Sequence, residues 1–252
     1  MKRFILLLLA TLIITPSLMA QEETDGPIVP YEEDILKQTL STSSPYYYTN
    51  LMLKYKLGTE EMTDMEYYYL YYGYVYQESY RPFADNKALD EMMNVMSGIN
   101  PSHPTVAQLE AVIELATASM EIDPFNPKVL NILAFAYGAL DDPQREQQYY
   151  NHLNGILRAI ELSGTGLKEE SPWHILMFSH AYDLLAAEGY NYLEARIISR
   201  SVEYIPLKAK MADGTKGFYF DYSRIYSRKP DDVSFKRERT WQFNNLPPTE
   251  YK

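Results

Sequence analysis

The chain has 252 residues, 34 acidic side chains against 23 Lys and Arg, a formal charge of -11 and no cysteine. The missing cysteines exclude disulfides, thiolate metal sites and a lipid-accepting cysteine, and the negative charge argues against nucleic acid or anionic lipid as the main partner. Charge is uneven, however: acids dominate from Gln21 to Leu207, whereas Lys208 to Arg239 is rich in Lys and Arg.

At the start, Met1-Lys2-Arg3 precedes an apolar run from Phe4 to Ile14 and the small residue Ala20. This is the pattern of a secretory signal peptide cut after Ala20. The run is too short to span a bilayer, and no later apolar segment is long enough to do so. The expectation is a periplasmic or secreted protein without a stable membrane anchor. Roughly 230 residues would remain, enough for one core without disulfide staples.

Residues 21 to 30 read as a flexible leader, with Gly26, Pro27 and Pro30 among acids. Tyr31 to Leu40 then forms a short helix, and Pro45 opens a second that ends at Gly58. Thr63 caps a third with Glu66 as its capping-box partner, and Asn86 to Met96 makes a fourth, closed by Gly98. Thr105 starts a helix with Leu109, Val112, Ile113, Ala116 and Met120 on one face, stopped by Asp123-Pro124. Pro127 opens the next, which buries Val129, Leu130, Leu133, Ala134 and Tyr137, and Pro143 begins another that runs to about Leu162. Ser171-Pro172 predicts a further helix to about Glu188.

After Gly189 the apolar period falls to about two: Ile197 to Tyr204, a turn at Asp213-Gly214, and a return strand Gly217 to Tyr222. The basic stretch from Ser223 to Lys252, with Trp241 and Phe243, reads as an extended tail. The predicted fold is α+β, mostly α, with helical hairpins over residues 31 to 222 and a small C-terminal β-hairpin.

Two resemblances refine this reading. Asp123-Pro124, Leu133, Ala134, Tyr137 and Tyr150 resemble one degenerate tetratricopeptide repeat, although Glu146 and Arg158 stand where that repeat carries alanine and proline. Ser44-Pro45-Tyr46-Tyr47-Tyr48, Leu70-Tyr71-Tyr72-Gly73-Tyr74, Tyr80-Arg81-Pro82-Phe83, Asp123-Pro124-Phe125, Leu153-Asn154-Gly155-Ile156, His180-Ala181-Tyr182-Asp183-Leu184-Leu185 and Gly217-Phe218-Tyr219-Phe220 resemble the landmarks of an uncharacterised domain-of-unknown-function family. Its members are exported proteins found mainly in Bacteroides-type bacteria. The resemblance implies compartment and architecture, and no catalytic residue.

Tyrosine is the most unusual feature, with 24 in the chain and a dense run from Tyr46 to Tyr80. Tyr68, Tyr72, Tyr76 and Tyr80 are candidates to wall a groove for a peptide or to stack on sugar rings, since each offers a flat face and a hydroxyl. A helix that is tyrosine-rich all round is also the mark of packing on several sides. His180 and Asp183 lie three apart on one predicted helix face, as a surface pair or orienting hydrogen bond. Trp241 beside Lys236, Arg237 and Arg239 makes a candidate anchor motif. The histidine spacings do not fit a zinc site, no nucleophile elbow or phosphate loop is present, and Glu60-Glu61 and Glu169-Glu170 read as solvated helix ends. The reading is therefore a noncatalytic protein with no cofactor, binding a protein or peptide in the cell envelope, with glycan binding as the alternative and an envelope hydrolase ranked last.

Overall fold

A computed structural model describes residues 26–229. The predicted signal peptide, residues 21–25 of the predicted leader, and the tail beyond Lys229 with Trp241 lie outside the described residues.

The first three helices are α1 (Glu32–Leu40), α2 (Tyr48–Leu57) and α3 (Asp64–Gly73), the last continued by a 3₁₀ turn, Tyr74–Tyr76. Local chemistry sets their ends. Gly58 terminates α2 in the left-handed conformation at φ 59°, which a glycine adopts without the Cβ penalty. Thr63 accepts from the Glu66 backbone N–H while the Glu66 carboxylate accepts from the Thr63 N–H, so the capping box forms as expected.

Four helices follow: α4 (Lys87–Ser97), α5 (Val106–Ser119), α6 (Pro127–Ala139) and α7 (Pro143–Leu162). Asn86, Asn126 and Asp142 cap α4, α6 and α7 through their side chains, and Thr105 makes a second capping box with Gln108. Each of these helices packs on the next. Between them lies a small core of Met92, Ile99, Val112, Ala116, Val129, Ile132, Leu133 and Tyr137.

The C-terminal third departs from expectation in three places. Ser171-Pro172 does not start a helix; Trp173–His174 is a short strand β1, and the helix α8 begins only at Phe178 and ends at Ala187. The reason is pairing: β1 lies parallel to Phe220 and Asp221, and Trp173 stacks on Phe218 at 4.7 Å. Next, the alternating run splits into β2 (Arg196–Ile197) and β3 (Val202–Pro206), which fold back on each other. β3 then pairs antiparallel with β4 (Gly217–Asp221), with Tyr204 opposite Tyr219, giving a four-stranded mixed sheet of order β1-β4-β3-β2. Third, Ser223 does not open an extended tail. Ser223–Tyr226 is a helical turn, α9, and Ile225 is fully buried. The fold is α+β, mostly α, with the sheet at the C-terminal end.

The main core is centred on α3. Tyr67 to Gly73 are buried on every side, against α1, α2, α7 and the sheet region. A helix surrounded on all sides needs no polar face, which explains a sequence of almost continuous tyrosine.

Candidate functional site

The tyrosine candidates fall mostly inside this core. Tyr68 and Tyr72 have no exposed surface and Tyr80 is 4% exposed. Their hydroxyls donate to the carbonyls of Ile28, His174 and Leu176, respectively. These three therefore do not wall a surface groove; burying so large a ring is favourable when its hydroxyl finds a partner. Tyr76 alone is half-buried, beside Arg224 and Arg228 at the foot of α9.

His180 and Asp183 are not a surface pair either. Both are buried, and they turn to different partners. Tyr71 donates to His180 Nδ1 at 2.7 Å and itself accepts from the Leu176 N–H at 3.1 Å; His180 Nε2 donates to Asp123 at 3.0 Å. Asp183 meets Lys128 at 3.2 Å, and its other oxygen is buried without a hydrogen bond. Burial pushes the Asp183 carboxyl up from its usual range, against the pull of Lys128. His180 has no exposed surface and Asp123 is buried beside it, so the network's work is to lock the Asp123-Pro124 turn to α3 and α8. Among the described residues, no group of three or more His, Asp or Glu is placed to hold a metal ion.

The open chemistry lies elsewhere, where α7 faces the connection between α2 and α3. One cavity of about 610 Å³ is walled by Gly58 to Met62, Tyr67, a stripe of α7 from Gln148 to Glu161, and Glu188. A second of about 370 Å³ lies on the other side of the same stripe, among Tyr48, Met52, Tyr55, Tyr74, Met120 and Tyr149. Gln148 and His152 line both, so these two side chains are a partition between the lobes.

The partition is set by two glycines. A Cβ on Gly155 would sit 2.3 Å from the Tyr67 ring, so only glycine lets that ring reach under α7 and place its hydroxyl 2.8 Å from His152 Nδ1. Gln148 lies on the bare Cα of Gly58, where a Cβ would meet it at 2.0 Å. The Gln148 amide is 3.5 Å from His152 Nε2, at the outer limit of a hydrogen bond. Tyr55 stacks on the other imidazole face at 4.0 Å and donates to the Pro124 carbonyl. His152 is thus held rigidly, while Gln148 is tied by one long contact.

The lobes differ in character. The larger carries Glu60, Glu61, Asp64, Glu161 and Glu188 against Arg158, which already pairs with Asp64 and Glu161 at 3.6 Å each. Burial, and then the neighbouring Glu188, push the Glu161 carboxyl up. Burial holds the His152 imidazole down at about 4. Titratable groups displaced in opposite senses at one cleft mark a functional site more often than chance. The smaller lobe is aromatic and thioether-rich, suited to an apolar side chain. Glu60 and Glu61 are solvated as expected, but at a cleft edge. His152 and Gln148 carried no motif; the glycine at 155 inside an otherwise strong helix was the one local anomaly that pointed to a close approach.

The family model described as a domain of unknown function, DUF4919, matches residues 33–230. The chain belongs to this family. The DUF4919 match covers all nine helices and four strands of the described residues apart from the first residue of α1, and it runs through α9, past the boundary at 222 read from sequence. The two-lobed cleft therefore lies within the DUF4919 domain. No curated protein and no solved structure matches the chain.

Proposed function

We propose that this protein is an exported, noncatalytic binding module of the cell envelope that captures an extended segment of a protein partner in the two-lobed cleft. One observation carries the reading: an acidic lobe and an aromatic, methionine-containing lobe lie on either side of the Gln148–His152 partition. That pairing suits a segment with a Lys or Arg next to an apolar residue, the charge entering the acidic lobe and the apolar side chain the other. The rigid floor of Tyr67, His152 and Tyr55 lowers the ordering cost of capture. The glycan reading is disfavoured, since three of the four tyrosines that would have stacked on sugar rings donate their hydroxyls to the protein's own interior.

Export in a Bacteroides-type cell rests on the signal-peptide pattern before Ala20 and on the family resemblance. The likeness of α5 to α7 to a tetratricopeptide unit is favoured by the burial of Leu133, Ala134 and Tyr137. It is strained at Tyr150, which is exposed; Tyr149 stacks on Tyr137 instead, at 5.5 Å.

A photo-crosslinking residue in place of Asn154, an exposed position at the cleft, tests the function in the native envelope. A stoichiometric protein adduct joined through a basic segment, and lost on the double change Glu161→Gln and Glu188→Gln, is the expected result. Capture of glycan alone, or a protein adduct insensitive to both changes, would sink it.

A further inference from the structure

On another face, flanking α9, lies an apolar groove of about 600 Å³. Its walls are Phe83, Phe178 and Tyr226, with Phe178 5.7 Å from Phe83 and 5.9 Å from Tyr226, ring to ring. Arg200 and Lys229, both exposed, stand at its rim. Among the described residues Arg200 makes no ion pair. We propose that this groove is the docking site of the chain's own next segment, Asp231–Phe235.

Three observations favour that occupant. First, the chain is delivered to the groove in a fixed place. Arg224 donates to the Pro30 carbonyl and lies over the Tyr72 ring; Arg228 donates to the Val75 carbonyl at 2.6 Å and lies over the Tyr80 ring. α9 is thereby tied to the tyrosine core, and Lys229, the next residue, is already part of the groove. Second, the charges match: Asp231 and Asp232 follow directly and would meet the Arg200 and Lys229 rim. Third, Val233 and Phe235 supply the apolar side chains that an aromatic groove takes, and they follow Lys229 within six residues, a reach of about 20 Å at most. The inference concerns a different face from the two-lobed cleft and stands or falls independently of it.

Because the chain has no cysteine, engineered thiols report without background. The full-length chain carrying Ser201→Cys and Phe235→Cys, exposed to oxidised glutathione, should form an intramolecular disulfide, since the two Cα atoms must come within roughly 7 Å to bridge. Mass spectrometry reads its rate. Adding Phe178→Ala should slow closure at least tenfold. Adding Asp231→Asn and Asp232→Asn should slow it several-fold in low salt, with the difference erased in high salt. Closure at an unchanged rate in both backgrounds would mean mere tethering and would overturn the proposal. So would disulfide-linked dimers, which place a second copy's segment in the groove, and so would free thiols that never close.

Discussion

Between α4, α5 and α6 the core is made of Met92, Ile99, Val112, Ala116, Val129, Ile132 and Leu133, with Tyr137 and Tyr149 at its edge. Around α3 the core is rich in tyrosines, and each of Tyr67, Tyr68, Tyr69, Tyr71, Tyr72 and Tyr74 spends its hydroxyl on a distant segment, from Ile28 near the start to His180. Burial in the first core is nondirectional and tolerates changes of shape. In the second, every ring also fixes a register, because moving a segment would orphan a buried hydroxyl at a cost of about 1–3 kcal/mol. One helix thus organises α1, α7, α8 and the sheet around itself, and the rigid floor of the cleft is a by-product.

The largest expected effect that separates the two cores is alkaline. Burial raises the hydroxyls of Tyr48, Tyr55, Tyr67, Tyr68, Tyr71, Tyr72 and Tyr80 well above 10, and that of Tyr74 to about 12. Unfolded tyrosines ionise near 10. Stability from these groups is therefore complete below pH 10 and drains away as pH rises toward the folded values. Tyrosinate absorbance and circular dichroism should jump together in one steep transition between about pH 10 and pH 12. A smooth titration with helicity retained would break the contrast.

Next in size is Asp123→Ala. Asp123 accepts from His180, from the Asn126 amide at 3.1 Å and from the Phe125 N–H at 3.3 Å. Three buried donors lose an acceptor at once, and about 3–5 kcal/mol of stability should go with them. Urea denaturation measures it, and a loss below about 1 kcal/mol would mean that the network contributes little.

Acid probes the join between core and cleft. The His152 imidazole sits at about 4 in the folded protein because burial disfavours its charge, against about 6.5 when unfolded. Its contribution is full above pH 6.5 and is lost as pH falls toward 4, roughly 3 kcal/mol in all. The slope of stability against pH across that window should flatten in His152→Gln; an unchanged slope would place the titration elsewhere. Asp221 acts lower still: its burial is outweighed by the nearby His174 and by hydrogen bonds from the Ser223 N–H and hydroxyl, which hold it at about 2.

The helix starts and the aliphatic faces were legible from sequence and the partners of the tyrosines were not, for a physical reason. Thr63, Asn86, Thr105, Pro127 and Asp142 announce helix starts within their own first turn, and the apolar stripe of α5 and α6 names its own buried face. Trp173–His174 is a strand only because Phe220 and Asp221, far along the chain, are there to pair with it; Ser171-Pro172 carries the local signature of a helix start. Tyr67 gives no local hint of which way it points, and whether His152 meets its hydroxyl or open water depends on the missing Cβ of Gly155. That Tyr68, Tyr72 and His180 lie inside was hidden for the same cause, since their partners are tertiary.

The smallest effects give the sharpest contrast, because they compare near-isosteric changes in the two cores. Tyr71→Phe removes one oxygen and leaves the Leu176 N–H and His180 Nδ1 without it, so about 1–3 kcal/mol should be lost despite an unchanged apolar volume. Ile132→Val removes one methylene from the aliphatic core, where Ile132 is 8% exposed, and should cost about 0.5–1.5 kcal/mol with no polar group stranded. If stability came from burial alone, the valine change would be the larger, because it removes apolar area and the phenylalanine change removes none. The opposite order, read from paired urea midpoints, would show that α3 holds the fold by the direction of its hydroxyls as much as by the area of its rings.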